Sequence, residues 1–379
     1  MTTISHYHVL IASVLMKRIQ ENLLRAFMNR QRFLRHPTEP FQATSGRTVD
    51  QLLGQMSETA FQGRKLGEAF EIWSHMLKKR QIVIWLGIAG AMVPAGMRKI
   101  IAQLIKRRMV DVLVTTGANI YHDAYETTGG KHFMGTDRVD DVLLRKYRVD
   151  RMYDVYSDEK RFYSLDNKID REFCALLRDD YPYSSRQIAD RLGAWLADNA
   201  RDSDGISVAA HETGVPIFLP ALADSSLGFA MMFANRKRRR RIIVDHMKDV
   251  HESSMITERS SKSGVVVFGG GVPKNFIQQS AVVASYATRH DKTHDYALQI
   301  TTDAAHWGGL SGATFEEAQS WGKYSPRAQM ATCHVDSTIA LPILAQALAE
   351  RFKRTRRLVP DFDWEKNGLQ ITFQKFRAQ

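Results

Sequence analysis

The sequence predicts an α/β fold, a doubly wound and mostly parallel sheet with an N-terminal helical extension. Three observations predict it. Apolar spacing alternates between the periods of helix and buried strand along most of the chain. Two strands run directly into glycine-rich turns, at Gly87 to Gly96 and Gly269 to Gly271. A strand, helix and second strand follow one another between residues 81 and 116, which implies parallel pairing with a right-handed crossover.

Residues 1 to 35 form a basic extension, amphipathic from Lys17 to Leu34. A flexible arm or upstream sequence ahead of Met28 would explain it better than a presequence, because Glu21 interrupts the positive charge. Leu66, Phe70, Trp73 and Leu77 share one face of a helix over 65–79, and Gln81 to Leu86 reads as a buried strand. After the first glycine turn, Met97, Ile100, Ile101, Leu104 and Ile105 line a second helix, and Val110 to Thr116 is the next strand. Residues 129–170 are rich in charge and tyrosine and read as an insertion that packs at an interface. Ser184 and Ser185 can cap a helix carrying Ile188, Leu192 and Trp195. Pro216 to Leu219, Ile242 to Val244, Gly264 to Phe268 and Tyr296 to Thr302 read as further strands. A helix is expected over Phe276–Ser285 and another over Thr338–Phe352, where Pro342 suits only the first turn. With no repeat or linker in view, residues 36–379 read as one Rossmann-like domain.

Composition narrows the function. Apolar residues make up 44% and charged residues 25%, the balance of a globular chain. No apolar run is long enough to span a bilayer, so no membrane role is expected. Cys174 and Cys333 offer neither a disulfide framework nor metal-ligand spacing, which makes a reducing cytoplasm the default. Much of the net charge of +12 sits in the run Arg236 to Arg241. Without interleaved aromatics or a nucleic-acid fold signature, that run reads as a solvated loop and nucleic acid is disfavoured as a partner.

The glycine turns suit a dinucleotide, since backbone N–H groups there can approach a pyrophosphate at a helix N-terminus. A tight turn with no ligand explains either one almost as well. Asp224 and Asp336 follow predicted strands, where ligands bind in such sheets and where helix caps also lie. The sharper segment is Glu316 to Lys323, ending Trp321-Gly322-Lys323. A lysine held against an indole would lose charge to its apolar wall, and a neutral amine can attack an imine.

These blocks resemble the deoxyhypusine synthase family. Val110 to Thr116, Pro220 to Gly228, Gly269 to Gly271 and Trp321 to Lys323 occur in the family's order and spacing, within a likeness running from about His36 to about Arg351. The wording is most similar to the bacterial deoxyhypusine synthase-like branch. The resemblance implies an NAD-dependent aminobutyl transferase, with Lys323 as the Schiff-base nucleophile. Trp321, Glu317, Asn275 and His306 would line the amine site. Thr116, Asp224, Gly270, Gly271, Thr302, Gly308 and Asp336 would hold NAD. It also implies a homotetramer with active sites at a dimer interface.

The chain departs from the family where the donor is gripped. Two family aspartates are Phe229 and Leu310 here, a histidine is Asn275, a cofactor-site acid is His122, and a Ser-Asn pair is Gly90-Ala91. An ammonium facing apolar residues loses its paired charges. The expectation is therefore transfer between small amines, as in homospermidine-type synthesis. A true deoxyhypusine synthase acting on a translation-factor lysine and a non-catalytic NAD-binding protein stand as alternatives. His122-Asp123, Asp303 and His306-Trp307 are candidates for a rebuilt pocket.

Overall fold

The computed structural model describes residue 30 and residues 33–353, 357–365 and 368–376. The extension over 1–35 lies outside the described residues except for residues 30 and 33–35.

Six strands form the central sheet: β1 (Val83–Ile88), β2 (Val112–Thr115), β3 (Ile217–Phe218), β4 (Ser263–Phe268), β5 (His294–Thr301) and β6 (Tyr324–His334). Their order is β6-β5-β4-β1-β2-β3 and every neighbouring pair is parallel. Both faces are covered, which is why β1 and β4 read as continuous apolar runs. Ile84, Leu86 and Ile88 pack on the side of the helices Phe61–Lys78, Arg98–Lys106 and Ser337–Arg351. Val83 and Trp85 pack on the side of the helices His246–Arg259 and Gly271–Thr288. The helix that follows β1 and the helix that follows β4 thus take opposite faces. The winding reverses between these two adjacent strands, and their C-terminal ends open a crevice there. The two glycine turns stand side by side at its mouth, with Ala89 N donating to the Phe268 carbonyl at 3.1 Å.

Several expectations change in detail. Ile243–Val244 pairs with Pro182–Tyr183 in a separate two-stranded sheet and adds nothing to the main one. The helix expected from Phe276 begins at Gly271, because Pro273 falls in its first turn, where a missing N–H costs nothing. Pro342 lies beyond the first turn of Ser337–Arg351, deeper than its chemistry favours. Ser184 does cap the helix Ser185–Asn199, through a capping box with Gln187.

The basic run is largely anchored. It ends the helix Ser226–Arg238, where cations suit the dipole. Arg238 meets Asp170 at 2.9 Å, Arg240 meets Asp179 at 2.9 Å and Arg241 meets Asp180 at 2.9 Å. Residues 132–158 contain a three-stranded antiparallel sheet, exposing Phe133, Met134 and Tyr153. A C-terminal hairpin, β7 (Leu358–Glu365) and β8 (Gly368–Lys375), packs on the helix His246–Arg259 side. Arg357, just before it, is buried on Asp111 at 2.7 Å. Among the described residues no helix is long and apolar enough to cross a membrane.

β6 is the sheet's edge strand on that side. Its pairing with β5 shifts register between His294 and Tyr296, so residues 325–328 bulge out and regular pairing resumes at Gln329.

Candidate active site

The Trp-Gly-Lys segment ends the short helix Phe315–Ser320. Lys323 N donates to the Ala318 carbonyl at 3.1 Å and Gly322 N donates to the Gln319 carbonyl at 2.9 Å. That pair of bonds is a Schellman closure, which needs a left-handed residue between them. Gly322 fills it, with φ of 68°. The glycine therefore turns the chain so that Lys323 leaves the helix towards Asn275.

Lys323 Nζ donates to Asn275 Oδ1 at 3.1 Å. Burial holds its pKa below the ordinary lysine value, and Glu317 pulls it partly back up. Trp321 does not supply the apolar wall within this chain, because it is 68% exposed. Phe229 and Leu310, the apolar substitutes for family carboxylates, are also exposed.

Sequence reasoning missed Lys274, the residue before Asn275. It is 1% exposed. Its Nζ donates to Gln299 Oε1 at 2.9 Å, to the Ser311 carbonyl at 3.2 Å and to the Ala313 carbonyl at 2.5 Å. Burial lowers its pKa to about 8, Glu317 and Asp303 oppose that, and Lys323 adds to it. One signal was available. A lysine at the first turn of a helix opposes the dipole and needs a reason to be there.

The cofactor candidates all lie past the C-terminal ends of the parallel strands: Thr116 after β2, Asp224 after β3, Gly270 and Gly271 after β4, Thr302 and Gly308 after β5, and Asp336 after β6. Gly270 admits no side chain, since a Cβ there would stand 2.6 Å from Ser311 Cα. Gly90, Gly308 and Gly309 face open space, with no atom within 4 Å of where a Cβ would stand. Two closely apposed glycine turns with clear space in front fit a dinucleotide pyrophosphate. The two aspartates part company. Asp336 caps the helix Ser337–Arg351, accepting from Thr338 N at 2.7 Å. Asp224 caps nothing, because Ser225 takes that role for the helix Ser226–Arg238. Its carboxylate is exposed beyond the end of β3 and has no partner among the described residues. Thr116 caps the helix Gly117–Thr127 through Asn119 N at 3.3 Å, and Thr302 is exposed just past β5.

The rebuilt-pocket candidates do not come together. Asp123 is fully buried against Arg98 at 2.8 Å and accepts from Ile206 N and Ser207 N, so it fastens helices and faces no ligand. His122 bonds His132 at 3.0 Å, and His132 bonds Glu126 at 2.6 Å. Burial and His132 lower the His122 pKa to about 4. His306 is exposed, and its ring lies tilted against Trp307 with centroids 4.3 Å apart. Asp303 lines a cavity of about 260 Å³ with Lys65, Thr301, Glu316 and His334, behind the Lys274 cage and apart from Lys323.

The family model for deoxyhypusine synthase matches residues 51–348. A protein of Methanosarcina acetivorans described as probable deoxyhypusine synthase 2 is 44% identical over 349 residues, covering 92% of this chain and all of that one. Its counterpart in Archaeoglobus fulgidus is 49% identical over 294 residues, covering 77% of this chain and 95% of that one. A crystal structure assigned as a deoxyhypusine synthase of Entamoeba histolytica superimposes with a TM-score of 0.58 at 18% identity, covering 84% of this chain and 98% of that one. The chain belongs to the deoxyhypusine synthase family, whose reaction class is aminobutyl transfer.

Proposed function

We propose that this member of the family is an NAD-dependent aminoalkyl transferase that works through a Schiff base on Lys323 and passes the group to a small amine. The observation that carries the reading is Lys323 itself: partly buried, depressed in pKa, 3.1 Å from Asn275 and held beside a glycine-lined crevice. When bound, NAD supplies hydride removal from the donor amine and hydride return to the product.

The chain's own residues do the rest. The neutral Lys323 amine attacks the electrophilic carbon of the oxidised donor, and a new C–N bond forms as the donor's amine leaves. Glu317, whose charge acts on Lys323, suits an incoming ammonium. Asn275 orients the lysine as a hydrogen-bond acceptor but cannot shuttle a proton. The acceptor amine then displaces Lys323. Gly270, Gly271, Gly308, Thr116, Thr302 and Asp224 would hold the cofactor, with Asp336 acting at least as a helix cap.

A changed donor pocket is favoured by Phe229 and Leu310, which present exposed apolar surface where the family grips its polyamine donor with carboxylates. The relatives' shared description favours the second reading, transfer to a protein lysine. A homotetramer would cover Trp321 and the exposed aromatics of residues 133–153. Cys174 and Cys333 are buried and unpaired, as suits a reducing cytoplasm.

Borohydride trapping tests the reading. Protein incubated with NAD and spermidine, putrescine, agmatine or cadaverine is reduced and weighed intact. A mass gain that requires both NAD and Lys323 is expected, and its size identifies the group. No adduct with any donor, in protein that binds NAD, would sink it.

A further inference from the structure

A donor amine is an ammonium at neutral pH, with no lone pair to form C=N as hydride leaves its α-carbon. It must first lose a proton. Around Lys323, Asn275 cannot take that proton, Glu317 supplies counter-charge, and Lys323 has a C–N bond of its own to make. A different base stands on the β2 side of the crevice. His122 lies on the helix Gly117–Thr127, which follows the C-terminal end of β2. Asn119, one turn earlier on the same face, is tied to the first glycine turn. Its Nδ2 donates to the Gly90 carbonyl at 2.9 Å, and its Oδ1 accepts from Met92 N at 3.1 Å and Val93 N at 3.3 Å. His122 is half-buried, so a ligand can still reach it.

Hydrogen bonds fix its tautomer. His122 Nδ1 meets His132 Nε2 at 3.0 Å, and His132 Nδ1 meets Glu126 Oε1 at 2.6 Å. The Glu126 carboxylate only accepts, so His132 carries its proton on Nδ1. His132 Nε2 is then the acceptor, and His122 donates from Nδ1. What remains is the His122 Nε2 lone pair, which has no partner among the described residues. Phe162 and Tyr121 flank the His122 ring at 5.5 Å and 6.1 Å. The other polar neighbours are Arg98, 3.8 Å from Glu126 Oε2, and Asp166, which accepts from Tyr121 Oη at 2.6 Å.

We propose that His122 is the general base that takes the donor ammonium's proton, with His132 and Glu126 as positioning residues behind it. The ammonium N–H bond breaks, its electron pair stays on the donor nitrogen, and the proton goes to His122 Nε2. His122 passes its Nδ1 proton to His132 Nε2, and the imidazolium so formed rests against the Glu126 carboxylate. The inference rests on the transferase reading and supplies the proton acceptor that reading lacks.

Diethyl pyrocarbonate, which modifies unprotonated imidazole nitrogens, tests the chain without turnover, with peptide mass locating the product. His122 should react at neutral pH, and His132, buried with both nitrogens engaged, should be spared. Any of the four amines above that acts as donor should shield His122 severalfold, alone or with NADH, which cannot accept a hydride. In Glu126→Gln the midpoint of modification should move to lower pH, because losing the anion disfavours the imidazolium. An unreactive His122, one that no amine shields, or an unmoved midpoint would overturn the proposal. Turnover gives the second readout. In His122→Gln, hydride removal followed by nicotinamide absorbance should slow by roughly a hundredfold with NAD affinity unchanged, and an undiminished rate would overturn the proposal. Should that variant not fold, Glu126→Gln should slow the same step and move its acid limb down. Amine shielding of His122 in protein that forms no NADH would sink the transferase reading and leave His122 as the amine's proton acceptor.

Discussion

The crevice between β1 and β4 and the surface around Lys323 make an instructive pair. The crevice is finished within one chain. Its glycine turns touch each other, Gly270 is pressed against Ser311, and the loop across it is held by Lys274 and Gln299. The surface around Lys323 is unfinished. Trp321, Phe229 and Leu310 all stand open to solvent. A site whose one half is rigid and whose other half is bare apolar surface separates its tasks. On the function proposed above, the rigid half would hold the cofactor and the bare half would meet a second surface that completes the amine site.

Gly270→Ala should disturb that contrast most. The new methyl would meet backbone at Ser311, so the turn or the loop must shift. NAD affinity should fall by about a hundredfold in isothermal titration, whereas aldehyde alkylation of Lys323 persists at a reduced rate. Equal NAD affinity would show that the crevice is not the cofactor's. The double change Phe229→Asp and Leu310→Asp probes the contrast from the other side. Restoring two carboxylates for the donor's ammonium groups should tighten spermidine binding by about tenfold in all, roughly 0.7 kcal/mol for each solvent-exposed pair. No gain would mean those positions do not face the donor.

Glu317→Gln acts on both amines at once. Glu317 raises the Lys323 pKa, so its removal should move the alkylation midpoint to lower pH and quicken neutral-pH alkylation about threefold, while the KM for a cationic donor rises. An upward midpoint would contradict the assigned electrostatics. The smallest effect separates the two aspartates. Asp336→Ala should cost about 1 kcal/mol of stability in urea unfolding through loss of the cap, whereas Asp224→Ala should cost almost none.

The parallel core was legible because burial on both faces writes a strand as an unbroken apolar run, as in β1 and β4. β6 was not, because Ser325, Pro326 and Arg327 fall in its bulge and interrupt any period. β7 hides for a similar reason, carrying Pro360 and two aspartates. In the site, Trp321-Gly322-Lys323 was legible through its likeness to the family's motif, and the Schellman closure gives the local reason for its glycine, while the indole wall expected for Lys323 is absent because Trp321 is exposed. Lys274 and Asp123 could not. Their meaning lies in Gln299, Ser311 and Arg98, partners 25 to 37 residues away whose nearness only the fold creates.

The bulge in β6 has a bearing on solubility. An edge strand offers a row of free backbone groups to any extended chain it meets, and eleven residues would be a long invitation. The displaced stretch at 325–328 withdraws the first third, and Pro326 has no N–H to offer. What is left open is the run from Gln329 to Cys333, since His334 N already donates to Gln62 Oε1 at 2.6 Å. Replacing Pro326 with valine would lengthen the adhesive border, and the cost would surface as fibrous or amorphous precipitation in concentrated samples long before it surfaced in turnover.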